Sequence, residues 1–276
     1  MILFSPGASR GVLRGDALDN NVILSFSHVT KRFPGVVALG DVSIDIKRGE
    51  IHGLCGENGA GKSTLMKILS GVYPHGSYEG TILYEGRELK LGAKSIHQAM
   101  SEGIAIVYQE LTLIPNMTVG ENIFLGKEPL QGGVINWEKL YSDTSAILKK
   151  YGLDIDPHAT VRNLGVGKMQ MAEIAKALSE NAKILILDEP TSALSEAEVD
   201  RLMEILSKLK AQGITCIYIT HKLEEFFRTT DTVTVLRDGK VIATKPTREL
   251  DNEKLVNLMV GREMTERFPK GNRKPG

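Results

Sequence analysis

The segment Gly56-Glu57-Asn58-Gly59-Ala60-Gly61-Lys62-Ser63-Thr64 constrains this chain more than any other. It matches GxxxxGK[ST]. An apolar run, Ile51–Cys55, precedes it, and Leu65, Met66, Ile68 and Leu69 follow at helical spacing with Gly71 as the stop. Strand, glycine loop and helix in that order let backbone N–H groups wrap phosphates at a helix N-terminus. Lys62 then offers a cation to the β- and γ-phosphates, and Ser63 a hydroxyl to Mg²⁺. The loop therefore predicts an α/β fold with a mainly parallel sheet behind it.

The rest of the chain agrees with that prediction. Between Ile23 and Ile46 apolar and polar residues alternate around a Pro34-Gly35 turn, with Val42, Ile44 and Ile46 on one side and Ser43, Asp45 and Lys47 on the other. This reads as an antiparallel edge sheet. Residues 81–84 and 104–107 are further strands. From about 111 to 179 the pattern becomes mostly helical, with loop signals at Gly126–Pro129 and Gln131–Gly133. Ile184–Leu187 and Ile214–Ile219 are apolar strands, separated by a helix that opens on the capping box Ser195-Glu196-Ala197-Glu198 and stops at Gly213. Val233–Leu236 and Val241–Ala243 flank Asp238-Gly239 as a hairpin, and a last helix covers about 252–260.

Composition removes several classes. Lys+Arg and Asp+Glu are both 34 in 276 residues, so the basic footprint of a nucleic-acid binder is missing. No apolar run approaches the roughly 18–20 residues of a membrane helix. Cys55 and Cys216 lie in apolar runs and read as small buried residues of a reduced compartment. The start, MILFSPGASRGVLRG, has no charged region ahead of its apolar patch and does not read as a signal peptide. Residues 1–21 read as a flexible tail, 22–262 as the globular domain, and 263–276, basic and rich in Pro and Gly, as a linker-like tail.

Beyond the glycine loop, the strand Ile184–Leu187 ends in Asp188-Glu189-Pro190. Asp188 can reach Mg²⁺, directly or through water, and Glu189 can orient or deprotonate a water. His221 follows the next strand. A histidine there is more often structural, yet one helix and one strand separate it from Glu189, within reach of a γ-phosphate. Gln109, after a short apolar strand, could donate an amide oxygen to Mg²⁺; taken alone it is an ordinary loop residue. Leu164-Gly165-Val166-Gly167-Lys168 leads into a helix whose buried stripe would be Met171, Ala172, Ala175 and Leu178. Such a helix end attracts an anion, but nothing nearby forms a phosphate site.

These motifs, GENGAGKST, Gln109, the glycine-helix stretch, ILILDEP and His221, occur in the order found in ABC-transporter ATPase domains, and the resemblance covers about residues 22–268. Within that superfamily FPGVVAL, VYQEL, VGENIFLG, MAEIAKAL, DEPTSAL, YITHKLEE and MVGRE are similar to the monosaccharide importers of the xylose, ribose and galactose type. YPHGSYEG looks most like the xylose branch. The resemblance implies that Phe33 stacks on adenine, although a buried edge-strand Phe is the alternative. It implies that residues 56–64 bind the phosphates of ATP, that Ser63, Gln109 and Asp188 surround Mg²⁺, that Glu189 is the catalytic base, and that Lys62 and His221 serve the γ-phosphate. Residues 111–179 would face the permease subunits, with Gln109 at the hinge. Import further implies an extracytoplasmic sugar-binding protein acting indirectly, and a place on the cytoplasmic face of the membrane.

The resemblance also answers what the helix end at 164–168 would bind. It is the family's signature, normally LSGGQ, which contacts ATP held by an opposing cassette. Here Gly165 replaces the serine and Lys168 the glutamine. A lost hydrogen bond to a charged group costs about 1.5–3 kcal/mol, so the site completed by 164–168 is expected to be the weaker one. Ser195 stands where many relatives have Asp. Relatives usually carry two cassettes in one chain, so this chain is expected to be a first cassette, either a piece of such a chain or a half-length product. A soluble ABC ATPase acting on ribosomes or DNA, a nucleotide-dependent interaction module, and a kinase are the other classes; charge balance, intact Glu189 and His221, and the glycine-helix stretch argue against them in turn.

Overall fold

A computed structural model describes residues 21–92 and 96–261. The expectations for the tails, 1–21 and 263–276, fall outside the described residues apart from Asn21. In chain order the strands are β1 (Val22–Phe33), β2 (Val36–Lys47), β3 (Ile51–Cys55), β4 (Glu79–Tyr84), β5 (Arg87–Glu88), β6 (Ile104–Val107), β7 (Leu130–Gln131), β8 (Val134–Ile135), β9 (Ile184–Asp188), β10 (Thr215–Ile219), β11 (Thr232–Arg237) and β12 (Lys240–Pro246). The helices are α1 (Lys62–Leu69), α2 (Ile96–Ser101), α3 (Val119–Ile123), α4 (Trp137–Tyr151), α5 (Val166–Leu178), α6 (Glu196–Ala211), α7 (Leu223–Thr229) and α8 (Asn252–Val260).

The central sheet has the order β12-β11-β3-β10-β9-β6 and is parallel except for the β11–β12 hairpin. Its inner strands β3, β9 and β10 are buried on both faces, and alternate residues serve opposite cores. Leu185, Leu187, Cys216 and Tyr218 join one core with Ile174 of α5 and Leu206 of α6. Ile184, Ile186, Ile217 and Ile219 join the other with Leu65 of α1 and Phe26 and Ile44 of the antiparallel sheet. That second sheet, β2-β1-β4-β5, is antiparallel throughout. Val42, Ile44 and Ile46 are buried as the alternation requires.

The structure departs from the sequence expectation in one small hairpin and two short helices. Within 111–179 the Gln131–Gly133 loop signal is the turn of a small hairpin, β7–β8, with positive φ at Gly132 and Gly133. Helices α2 and α7 form where no periodicity was legible, because six or seven residues are too few to display a 3.6-residue period. The capping box does form: the Glu198 carboxylate accepts from Ser195 N–H at 2.9 Å and Ser195 Oγ at 2.8 Å.

Under β3 lies a buried polar knot. His52 Nδ1 pairs with Glu50 Oε1 at 2.9 Å, His52 Nε2 with Thr234 Oγ1 at 2.8 Å, and Thr232 Oγ1 donates to Glu50 Oε2 at 3.0 Å. Burial alone would raise the Glu50 carboxyl, but His52 and the Lys47 N–H and Thr232 hydroxyl donors outweigh it and hold it below the usual carboxylate range. A carboxylate depressed in the folded state contributes stability above its unfolded pKa, lost as pH falls through the folded value. Glu50→Gln is therefore expected to lower Tm at neutral pH and to flatten the acid limb of a Tm-against-pH series. An acid limb as steep as that of the parent chain would refute this.

Candidate nucleotide site

Parallel pairing aligns the C-terminal ends of β3, β9 and β10: Ile219 lies opposite both Leu54 and Asp188. Ligands of open α/β sheets bind at this edge, and the glycine loop, the Asp188-Glu189 pair and the Thr220-His221 loop all leave from it.

The loop is shaped by close approach. Gly61 has φ +106, and a Cβ there would lie 2.7 Å from both the Ala38 carbonyl oxygen and Leu39 Cδ2. Only glycine takes this conformation and this space without strain. The Ala60 carbonyl accepts from Gly239 N–H at 3.2 Å, and the Gly239 carbonyl from Gly40 N–H at 2.8 Å, so the β11–β12 turn braces the loop against β2. Gly56, Ala60, Gly61 and Lys62 are buried, while Glu57, Asn58, Gly59 and Ser63 are exposed and Thr64 is half-buried. Lys62 Nζ donates to the carbonyls of Gly56 at 2.7 Å and Glu57 at 3.1 Å, curled over its own loop.

At the end of β9 burial pushes the Asp188 carboxyl above the usual range; Glu189 adds to the rise and the Lys62 ammonium opposes it. Glu189 adopts φ +48 while its N–H donates to the Ile219 carbonyl at 2.9 Å. A non-glycine residue in this region costs about 1–3 kcal/mol and is held only when its surroundings demand it. The turn brings Glu189 Oε2 within 3.3 Å of His221 Nδ1. Gln109 is exposed just beyond β6. The backbone N–H of Thr112, three residues on, and its hydroxyl both donate to the buried Glu173 carboxylate of α5, the hydroxyl at 3.0 Å. This tie between the Gln109 loop and α5 was not legible in the sequence, where MAEIAKAL shows only a helical stripe.

Could these residues hold Mg²⁺? A hydroxyl, an amide oxygen and a carboxylate are hard oxygen donors of the kind this ion takes, alongside phosphate oxygens. The half-buried Asp188 carboxyl, whose ionisation is disfavoured by burial and by the neighbouring Glu189, is relieved by a dication. Among the described residues no group of three or more His, Cys, Asp and Glu forms a self-sufficient metal cage.

Phe33, half-buried at the end of β1, meets Tyr73 edge-on at 5.4 Å, and the Lys31 ammonium lies 5.1 Å from the Phe33 ring and 4.7 Å from that of Tyr73. The stretch 164–168 opens α5 with Gly165 as N-cap. Gly165 has open space around it, so a serine side chain fits there. Gly167 is buried: its N–H donates to Glu198 Oε1 at 3.1 Å, and a Cβ would meet Glu198 Cδ at 2.7 Å. The capping-box acid of α6 thus also caps α5, an anion at this helix end that sequence reasoning did not find.

The sequence profile described as ABC transporter matches residues 39–192. The chain is 56% identical over 254 residues, 92% of its length, to the xylose import ATP-binding protein of Thermoanaerobacter pseudethanolicus. It is 50% identical over 249 residues, 90% of its length, to the L-arabinose transport ATP-binding protein of Geobacillus stearothermophilus. It spans about half the length of these curated relatives, 50% and 48%. Among solved structures, the ADP conformation of an ATP-binding cassette of an ABC transporter superposes with TM-score 0.74 at 26% identity, covering 87% of this chain and 99% of that one. A dimeric bacterial ABC transporter cassette superposes with TM-score 0.68 at 27% identity, covering 82% and 99%. No helix among the described residues is long and apolar enough to cross a membrane. Fold, motif order and family profile agree: the chain belongs to the ABC transporter family, as an ATP-binding cassette.

Proposed function

We propose that this cassette binds MgATP and hydrolyses it to energise import of a monosaccharide, xylose-type in preference to ribose or galactose. The observation that carries the hydrolytic half is the Glu189 carboxylate set 3.3 Å from His221 at the sheet edge that bears the glycine loop. The names of the relatives support the sugar. Residues 56–64 would cradle the phosphates. Lys62 would exchange the Gly56 and Glu57 carbonyls for phosphate oxygens, a stronger pairing because the acceptor is charged. Glu189 would accept the proton of the attacking water, with His221 oriented on the γ-phosphate by its contact with Glu189. Ser63, Gln109 and Asp188 would hold Mg²⁺, which when bound neutralises charge on the phosphates. Phe33 would supply an aromatic face to adenine beside Tyr73.

Residues 111–179 would meet the permease subunits on the cytoplasmic face of the membrane, the Thr112–Glu173 tie transmitting movement of the Gln109 loop to α5. The stretch 164–168 would complete an ATP site on a second cassette, in the same chain or in a second copy, and dimeric cassettes among the structural relatives support this arrangement. The sugar-binding protein would act only through the permease. Turnover per molecule of the chain is expected to rise with protein concentration as one copy's 164–168 completes another's site. In the same assay Gly165→Ser should raise the rate, by supplying the missing hydroxyl in space the fold leaves open. ATP binding with no turnover at any concentration would show that a different second cassette is required. An unchanged rate in Gly165→Ser would remove the claim that the glycine weakens that site.

A further inference from the structure

Helix α7 opens on two adjacent glutamates that the fold treats differently. Glu224 is exposed, whereas Glu225 is only 4% exposed. A carboxylate leaves water this completely only when donors replace the water. Glu225 Oε2 accepts from the Tyr218 hydroxyl at 2.7 Å and from Thr191 Oγ1 at 3.0 Å, and Oε1 faces Lys222 Nζ at 3.5 Å. Lys222 Nζ also donates to the Thr191 carbonyl at 3.0 Å, and Lys222 N–H to Thr220 Oγ1 at 3.0 Å. The donors come from three elements: Tyr218 from β10, Thr191 from the turn after β9, and Lys222 from the loop after β10.

Their placement gives the cluster its meaning. Thr191 lies just past Glu189 and Pro190, and Lys222 directly follows His221. The two loops that carry the Glu189–His221 contact are therefore both fastened, immediately beyond it, to one buried carboxylate. The carboxylate itself cannot drift. Phe226, the next residue, is fully buried, its ring packs so closely on β3 that a Cβ on Gly53 would lie 2.7 Å from it, and it meets Tyr218 edge-on at 6.5 Å.

We infer that Glu225 is a positioning residue for ATP hydrolysis, setting the separation of Glu189 and His221 through Thr191, Tyr218 and Lys222. The inference rests on the reading of Glu189 and His221 as the hydrolytic pair. Side chains that act through one another lose rate as a unit, and a misplacement of 1 Å can cost about 10²-fold.

The test measures Glu189-dependent ATP turnover by the full chain in its assembled transporter, per bound ATP. Glu225→Gln keeps the shape and one acceptor oxygen but removes the charge facing Lys222. It should lower kcat at least about 10-fold and leave KM for ATP within about twofold. Added to His221→Ala it should cause no further loss, because both act on the same contact. Tyr218→Phe keeps the ring in the core and removes only one donor; it should show the same pattern with a smaller loss, about 3-fold, and carries the test if the glutamine variant does not fold. A kcat per bound ATP equal to that of the parent chain, or losses that multiply with His221→Ala, would overturn the inference while leaving the hydrolytic pair intact. Turnover that survives Glu189→Gln would overturn the hydrolytic reading and this inference with it.

Discussion

Glu189→Gln is expected to lower ATP turnover about 10²–10⁴-fold, the usual contribution of a general base, while ATP binding persists. The amide matches the carboxylate in shape but cannot take the proton of the attacking water. The folded state should not suffer. Glu189 is a like charge beside Asp188 and helps to hold that carboxyl above its usual range, so removing the charge relieves a repulsion. The variant should thus bind ATP at least as well as the parent chain and melt no lower. Single-turnover hydrolysis and an equilibrium ATP titration on the same preparation separate the two effects. Turnover within about tenfold of the parent would exclude Glu189 as the base.

Gly61→Ala has the second largest expected effect, on stability and binding together. At φ +106 an alanine costs about 1–3 kcal/mol of backbone strain. Its Cβ would also lie 2.7 Å from the backbone oxygen of Ala38, which belongs to β2 and cannot rotate away; overpacking of this kind costs about 1–3 kcal/mol. Together these predict a fall in Tm of roughly 4–24 °C at about 2–4 °C per kcal/mol, with a weakened ATP affinity because α1 and Lys62 start at the displaced residue. Gly59→Ala is the control. It shares a positive φ of +86 but has no atom within 4 Å of the added carbon, so it should bear the backbone cost alone. Equal melting temperatures for the two variants would show that the contact with β2 does not shape the loop.

Most of what positions the site was legible along the chain. The glycine loop announces itself because strand, turn and helix are neighbours in sequence and each has its own local signal. The same holds for the Ser195–Glu198 box, the Val42–Ile46 alternation and the Asp238-Gly239 turn, whose positive φ values of 50 and 73 match the residue types. Asp188 and His221 stand out because polar residues interrupt apolar strands. Glu225, Glu173 and the second role of Glu198 were not legible. Glu198 and Glu225 are acids among other acids in a helix, and only one of two adjacent glutamates in KLEEFF turns inward; Glu173 is the sole acid of α5, and nothing local says that it meets Thr112. Helix α7 itself is too short to show a period, so no pattern distinguishes Glu224 from Glu225.

The sequence by itself determined which backbone conformations are available and which strands are apolar on both faces, because those follow from φ preferences and side-chain alternation within a few residues. The tertiary structure decided what meets what. Glu189 and His221 lie far apart along the chain and come to 3.3 Å only because β9 and β10 pair in parallel register, with Asp188 opposite Ile219. Gly167 receives the Glu198 carboxylate only because α5 and α6 pack against the same face of that sheet. Sheet order and helix packing are settled by burial summed over the whole core, and no local pattern carries that sum.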